Sequence, residues 1–291
     1  MAAPVDAVGA KSNSRALLIR KIVAYTVLTF FAIISILPFI LLLIEMTHKH
    51  EEIMSGFSMV PGGALWKNFS NAIHNNSWKM LAALRNSFIV SGLTALLSTY
   101  FSALTAYAIH VYDFRLKKFL FTFILMIMMV PSQVSALGFV RLMNDFKLTN
   151  SFIPLIVPAI AAPATFFFMK QYMESSLPLD IVEAARIDGC GEFRTFNFLV
   201  MPIMKPAIAV QGIFTFVSSW NNFFVPALLL DDPNKRTLPI VIMMIRKQDF
   251  ASLDYGMVYV AIGISIIPVA VVYLVLSKFI IRGIALGAVK G

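Results

Sequence analysis

The sequence predicts an all-α integral membrane protein of about six transmembrane helices, and three observations carry that reading. Of its 291 residues, 59% are hydrophobic and only 13% charged, whereas soluble domains run near half apolar and about a quarter charged. Mean hydropathy is +0.81, which is more apolar surface than a globule of this length can bury. The apolar residues also gather into runs close to the roughly 20 residues that cross the hydrocarbon as a helix.

Residues 1–21 form a basic N-terminal segment with Lys11, Arg15, Arg20 and Lys21. The first run, Ile22–Met46, is too long for the apolar part of a secretory signal and lacks a small-x-small cleavage site, so it reads as a retained span. A cleaved signal is the alternative. Ser87–Ile109, Phe119–Val140, Phe152–Met169, Ala207–Leu230 and Met257–Ile281 follow, so that residues 22–281 make the transmembrane domain. The fourth run is short and carries Pro154, Pro158 and Pro163, and every other span except the second has an internal or boundary proline, at Pro38, Pro131, Pro226 and Pro268. Proline at membrane depth is tolerated where neighbouring helices satisfy the freed backbone groups, so kinked helices around a path are expected. Residues 47–85, with Trp66 and Trp78, and residues 231–256, whose apolar stretch Leu238–Ile245 is too short to span, form two outer loops. Residues 170–205 form a long inner loop, and residues 282–291 a glycine-rich tail.

Lys and Arg near span ends set orientation. With the N-terminus cytoplasmic, fourteen of the 24 Lys and Arg fall on the cytoplasmic side, which favours both termini inside. The same arrangement accounts for the net charge of +9 without nucleic acid, since no basic helix or RNA-type aromatic motif gathers the cations. The lone cysteine, Cys190, excludes an intramolecular disulfide and a Cys-based metal cluster. His48, His50, His74 and His110 lack metal-ligand spacing, and nothing suggests a catalytic triad. No G-x-x-x-x-G-K-[ST] occurs, so the chain has no usual phosphate cradle. No Asp, Glu, Lys or Arg sits mid-span, where ion relays place them. The chain is therefore read as non-catalytic, with no cofactor of its own, and any energy enters from outside the membrane.

The inner loop is where it could enter. Pro178 suits a first helical turn, and Asp180 and Glu183 place negative charge near the positive end of a helix that runs through Ala184, Ala185 and Arg186. Asp188-Gly189 breaks it with a turn in which glycine can take positive φ. A second short helix is expected from about Glu192, rich in Phe193, Phe196, Phe198 and Leu199, stopping at Pro202. The result is a helix-turn-helix that either packs on its own bundle or docks another protein.

Glu183-Ala184-Ala185, three residues, Gly189, nine residues, then Leu199-Val200-Met201-Pro202 resembles the EAA loop of ATP-binding-cassette importer permeases. Leu199 and Met201 are its volume-conserving departures. Ala-Tyr-Ala at Ala106–Ala108, Trp220-Asn221, Thr237-Leu238-Pro239 and the ending Gly287-Ala288-Val289-Lys290-Gly291 are similar to those of carbohydrate-type permeases like the smaller maltose-system subunit. His110 stands where an Arg is common, and Asn222 where an acid often follows Trp-Asn. The resemblance implies a type I importer fold in a bacterial inner membrane and a permease subunit importing a carbohydrate, an oligosaccharide by preference. It implies a second homologous permease, two ATPase subunits that bind ATP and Mg, and an extracytoplasmic binding protein. Glu183, Ala184, Ala185, Asp188, Gly189, Leu199 and Pro202 would couple to the ATPase, and Gly287, Lys290 and Gly291 would contact it unless the tail is simply frayed.

Polar groups inside the spans, Ser132, Gln133 and Ser135 in the third and Gln211, Ser218, Ser219, Asn221 and Asn222 in the fifth, must face protein or water. They read either as interhelical glue or as a polar path, the path reading resting on Gln133, Ser219 and Asn221 with an aromatic face from Trp220 or Phe223. Lys235, Arg236, Arg246 and Lys247 form an outer basic patch that would meet a binding protein or an anionic solute. A self-sufficient secondary carrier or facilitator is the competing function. It predicts an internal repeat of spans, and none is visible.

Overall fold

The computed structural model describes residues 7–248 and 253–288. All its described elements are helices, from α1 (Ala7–Glu45) to α14 (Tyr255–Ala288). Five are long and apolar enough to cross a membrane: Leu17–Glu45, Met80–Val111, Ile153–Ser176, Glu192–Asn221 and Tyr255–Val275. The third predicted span is two helices, α5 (Lys117–Ile127) and α6 (Ser132–Asp145), because the chain turns at 128–130 and Pro131 adopts ψ 125, an extended conformation. Here the proline breaks the helix instead of kinking it.

The chain divides into two compact units, residues 1–69 with 254–263 and residues 70–253 with 264–291. In the smaller unit, the exposed apolar α1 ends in a polar knot. Asn68 Nδ2 donates to the carbonyls of Met46 at 3.0 Å and His48 at 2.7 Å, groups that a helix C-terminus leaves unpaired. Gly256 lies so close to Asn68 that a Cβ there would meet its amide nitrogen at 2.5 Å, so any larger residue must displace the amide that holds the two carbonyls. The loop 47–85 is structured, with α2 (His50–Ser55) and α3 (Leu65–His74).

In the larger unit, α4 (Met80–Val111), α8 (Pro163–Ser176) and α11 (Met201–Asn221) pack together. The second span begins at Met80, earlier than its apolar run, with Met80, Ala83 and Asn86 extending its buried face. Asn86, Ser87, Ser91, Ser98, Ser102, Ala103 and Ala106 lie on that face, and small residues let helices approach closely where apolar surface gives no drive to associate. Ser98 Oγ donates to Thr165 Oγ1 at 3.2 Å across that seam. The fourth span is composite: α7 (Ile153–Ile156), a 3₁₀ turn (Val157–Ile160) and α8, its breaks falling at the prolines.

The loop and fifth span differ from expectation at both ends. After α9 (Leu179–Ile187), the helix beginning with α10 (Glu192–Thr195) does not stop at Pro202 but runs on through Phe196–Val200 into α11. Phe196–Val200 is a π turn in which Met201 N–H bonds to the Phe196 carbonyl, one residue further back than in an α-helix. That widened turn stands directly before the proline, whose nitrogen has no hydrogen to give. At the other end α11 ceases at Asn221, Asn222 takes ψ 116, and α12 (Phe224–Leu229) follows. The loop 231–256 contains α13 (Leu238–Arg246) and is strapped to α4. Asn86 Nδ2 donates to the carbonyls of Asn234 and Arg236 at 2.8 and 3.0 Å, and Leu238 N–H donates to Ser87 Oγ at 2.8 Å. The helix α14 continues beyond Ile281 to Ala288, where a glycine-rich tail was expected; Lys290 and Gly291 lie outside the described residues.

Candidate functional site

The loop between α8 and α11 is a capped helix followed by a tight turn. The helix α9 ends on Ala185, Arg186, Ile187 and Asp188, and Gly189 takes φ 76. Cys190 N–H returns to the Ala185 carbonyl at 2.9 Å, and Gly189 N–H to the Arg186 carbonyl at 3.0 Å. This is a Schellman cap with glycine at its left-handed position. The interval between the paired alanines and Gly189 is thus the geometry of a helix end. Ala185 and Val182 are 5% and 1% exposed and face inward, whereas Glu183, Ala184, Asp188 and Gly189 face solvent.

Two attachments fix this loop to the bundle. Val182, Leu177, Phe196 and Val200 belong to one apolar cluster with Ala103, Ala106 and Tyr107 of α4 and Met169 and Met173 of α8. A polar strut runs alongside: Tyr107 O–H donates to Glu192 Oε2 at 2.8 Å, and Arg186 Nε donates to Glu192 Oε1 at 2.6 Å. The Arg186 guanidinium lies 5.5 Å from the Tyr112 ring centroid, and its hydrogen bond to Glu192 holds it even more firmly protonated. The Ala-Tyr-Ala element is now physical: Ala106 packs in the buried cluster while Tyr107 beside it reaches the loop. His110 Nε2 donates to the Leu177 carbonyl at 3.0 Å, so the histidine ties α4 to the loop entrance. Outside, Ile187 is 87% exposed and Phe193 73%. Large apolar groups so bare on a polar loop mark a contact surface. Leu199 and Pro202 are also exposed, on the π turn and the first turn of α11.

A groove of about 470 Å³ lies along α4, α7, α8 and α11. Its walls carry Thr94 and Ser98, one turn apart on α4, Thr165 on α8, and Gln211, Thr215, Ser218, Ser219 and Asn222 on and just beyond α11. Phe168 and Phe214, 55% and 61% exposed, add two aromatic faces, and no charged side chain lines it among the described residues. Hydroxyls, amides and ring faces can bind a solute rich in neutral donors and acceptors.

Among the residues singled out from the sequence, Ser219 lines this groove and Asn221 stands exposed at the end of α11 without lining it. Gln133 is exposed on α6, away from the groove walls. Trp220 is 2% exposed, its indole N–H donating to the Ser265 carbonyl at 3.1 Å and its ring stacked on Phe216 at 5.6 Å. Its faces are therefore committed to packing, and Phe168 and Phe214 present the open rings. Sequence reasoning missed both, together with Thr94, Ser98 and Thr165. The four-residue recurrence of Thr94 and Ser98 is the available signal. In the outer basic patch, Lys235 Nζ donates to the Asn150 carbonyl at 2.7 Å and Arg236 to the Asp231 carbonyl at 3.3 Å, so both are bound into the loop.

Comparison with known proteins completes the site. Residues 98–286 match the family described as the binding-protein-dependent transport system inner membrane component. The arabinooligosaccharides transport system permease protein AraQ of Halalkalibacterium halodurans is 31% identical over 265 residues, covering 90% of this chain and 94% of that protein. The sn-glycerol-3-phosphate transport system permease protein UgpE of Yersinia pestis is 32% identical over 232 residues, covering 78% and 82%. In structure, a chain of a bacterial ABC transporter involved in the import of the acidic polysaccharide alginate superposes with a TM-score of 0.80 at 22% identity, covering 91% of this chain and 98% of that one.

Proposed function

We propose, for a chain that belongs to the family of binding-protein-dependent transport system inner membrane components, the role of one permease half in an ATP-driven importer of a neutral oligosaccharide. The observation that carries the coupling role is the capped α9 with bare Ile187 and Phe193 at its end, locked to α4 through Tyr107 and Glu192. A partner ATPase, holding ATP and Mg, grips Glu183 to Leu199 from the cytoplasm. Its closure moves the knob, and because the helix from Glu192 to Asn221 is continuous, the same motion reaches the groove wall at Gln211 to Ser219. A second permease faces the groove and completes the path, and an extracytoplasmic binding protein delivers solute at the side of α13. Both termini then lie in the cytoplasm, and a C-terminal contact of Gly287, Lys290 and Gly291 with the ATPases belongs to the same proposal.

The names of the relatives span a neutral oligosaccharide and anionic solutes. The charge-free groove supports the neutral class, since an anion in a low-dielectric path needs a fixed cation or several donors aimed at it. The test is purification of the tagged chain from native membranes, followed by reconstitution. A second permease and an ATPase co-purify, and the proteoliposomes, supplied with binding protein, take up arabinotriose only with ATP. A monodisperse homo-oligomer that transports without an ATPase overturns the reading, and uptake of glycerol phosphate in preference to arabinotriose overturns the solute class.

A further inference from the structure

Beside the groove lies a second, much smaller chamber of about 30 Å³, walled by Ser87, Ser91, Ser219, Asn222 and Thr237 with Val90, Leu155 and Pro226. Leu155, Ser219 and Asn222 line both spaces, so they stand between groove and chamber. Ser91 and Thr237 are 1% and 4% exposed, and neither hydroxyl has a hydrogen-bond partner among the described residues. Leaving a buried hydroxyl unpaired costs about 1–3 kcal/mol, and two in one chamber is a rare arrangement unless something answers them. The volume fits a single oxygen-sized ligand, for which about 10–15 Å³ suffices.

We propose that this chamber is a binding site for one neutral hydroxyl-type oxygen, bridging Ser91 on α4 and Thr237 at the start of α13. The chemistry is specific. No charged side chain lines the space among the described residues, so nothing there offsets the desolvation of an ion. Both open groups can donate and accept, which matches a group that does both. Two sources supply such an oxygen, a resident water or a hydroxyl of the solute entering past Ser219 and Asn222. The position gives the site a consequence in either case. Thr237 follows the strap held by Asn86, so the ligand ties the outer loop to the wall of the groove.

The experiment uses the assembled complex with Ser91→Ala, Thr237→Val and the double variant, read by thermal unfolding in detergent and by ATP-dependent uptake of arabinotriose. A resident water predicts that each single variant lowers the unfolding midpoint by roughly 2–4 °C. The double variant then loses less than the sum, because one ligand serves both hydroxyls. A solute hydroxyl predicts an unchanged or higher midpoint, with the arabinotriose KM raised roughly 2- to 10-fold. Variants unaltered or improved in stability and unaltered in KM overturn the site, leaving a dry void. The uptake arm rests on reading the groove as a solute path. If the unmutated complex takes up no arabinotriose, that reading fails and the unfolding arm alone decides the chamber.

Discussion

Replacing Gly189 separates two demands on one position. Its φ of 76 lies in the left-handed region, and a Cβ built there meets nothing within 4 Å. Within the chain, a substitution therefore costs conformation and not space. A residue with an ordinary Cβ pays about 1–2 kcal/mol in that region, a factor of roughly 5–30 in the population of the capped loop. Gly189→Ala should accordingly lower ATP-dependent uptake and ATPase stimulation by up to that factor, with Gly189→Val lower still because branching narrows the backbone further. Asparagine tolerates the left-handed region, so Gly189→Asn should retain most activity. The assay is uptake and stimulated ATPase activity of reconstituted complexes, normalised to complex recovered. Asn as damaging as Val would refute the conformational argument and mean that the open space is filled by the docked partner.

Four further outcomes follow from the same geometry. Glu183 is exposed, so Glu183→Lys should leave insertion and folding within about 0.5 kcal/mol of the parent while costing about 2–5 kcal/mol of ATPase docking, measured by co-purification. Tyr107→Phe removes one hydrogen bond to a carboxylate whose side chain is 42% exposed, about 1 kcal/mol after that exposure is allowed for. Solute carried per ATP should fall while hydrolysis itself persists, and an unchanged ratio would show the strut to be decorative. Trp220→Phe should destabilise the chain by about 1–3 kcal/mol by removing the indole hydrogen bond and leaving a smaller ring at a buried position, whereas Phe168→Ala, on an exposed ring, should spare stability and raise the arabinotriose KM.

How much of this was legible in the sequence depended on range. The loop was readable because a Schellman cap is local: paired alanines, three residues and a glycine are close in chain and in space. The spans were readable as composition, but not their breaks. Pro131 and Pro202 have the same chemistry, yet one ends a helix and the other rides on a π turn that starts six residues before it. The strut was invisible because Tyr107 and Glu192 are 85 residues apart. Trp220 was misjudged for the same reason: its partner, Ser265, is 45 residues away on α14. A hydropathy window reports membrane depth but not which face of the helix looks at the path.

The continuous helix from Glu192 to Asn221 can also be considered as a machine part. At 1.5 Å per residue its 30 residues make a rod about 45 Å long. Tilting such a rod by about 5° around one end sweeps the other through roughly 4 Å, more than the width of a water molecule. The π turn at Phe196–Val200 and Pro206 sit near its Glu192 end, and such features are where helices bend most readily. Under the proposed coupling, a soft joint beside the ATPase and a stiff length beyond it would convert a small rotation into a large stroke. The rod is thus geared toward displacement at the groove, at the expense of force.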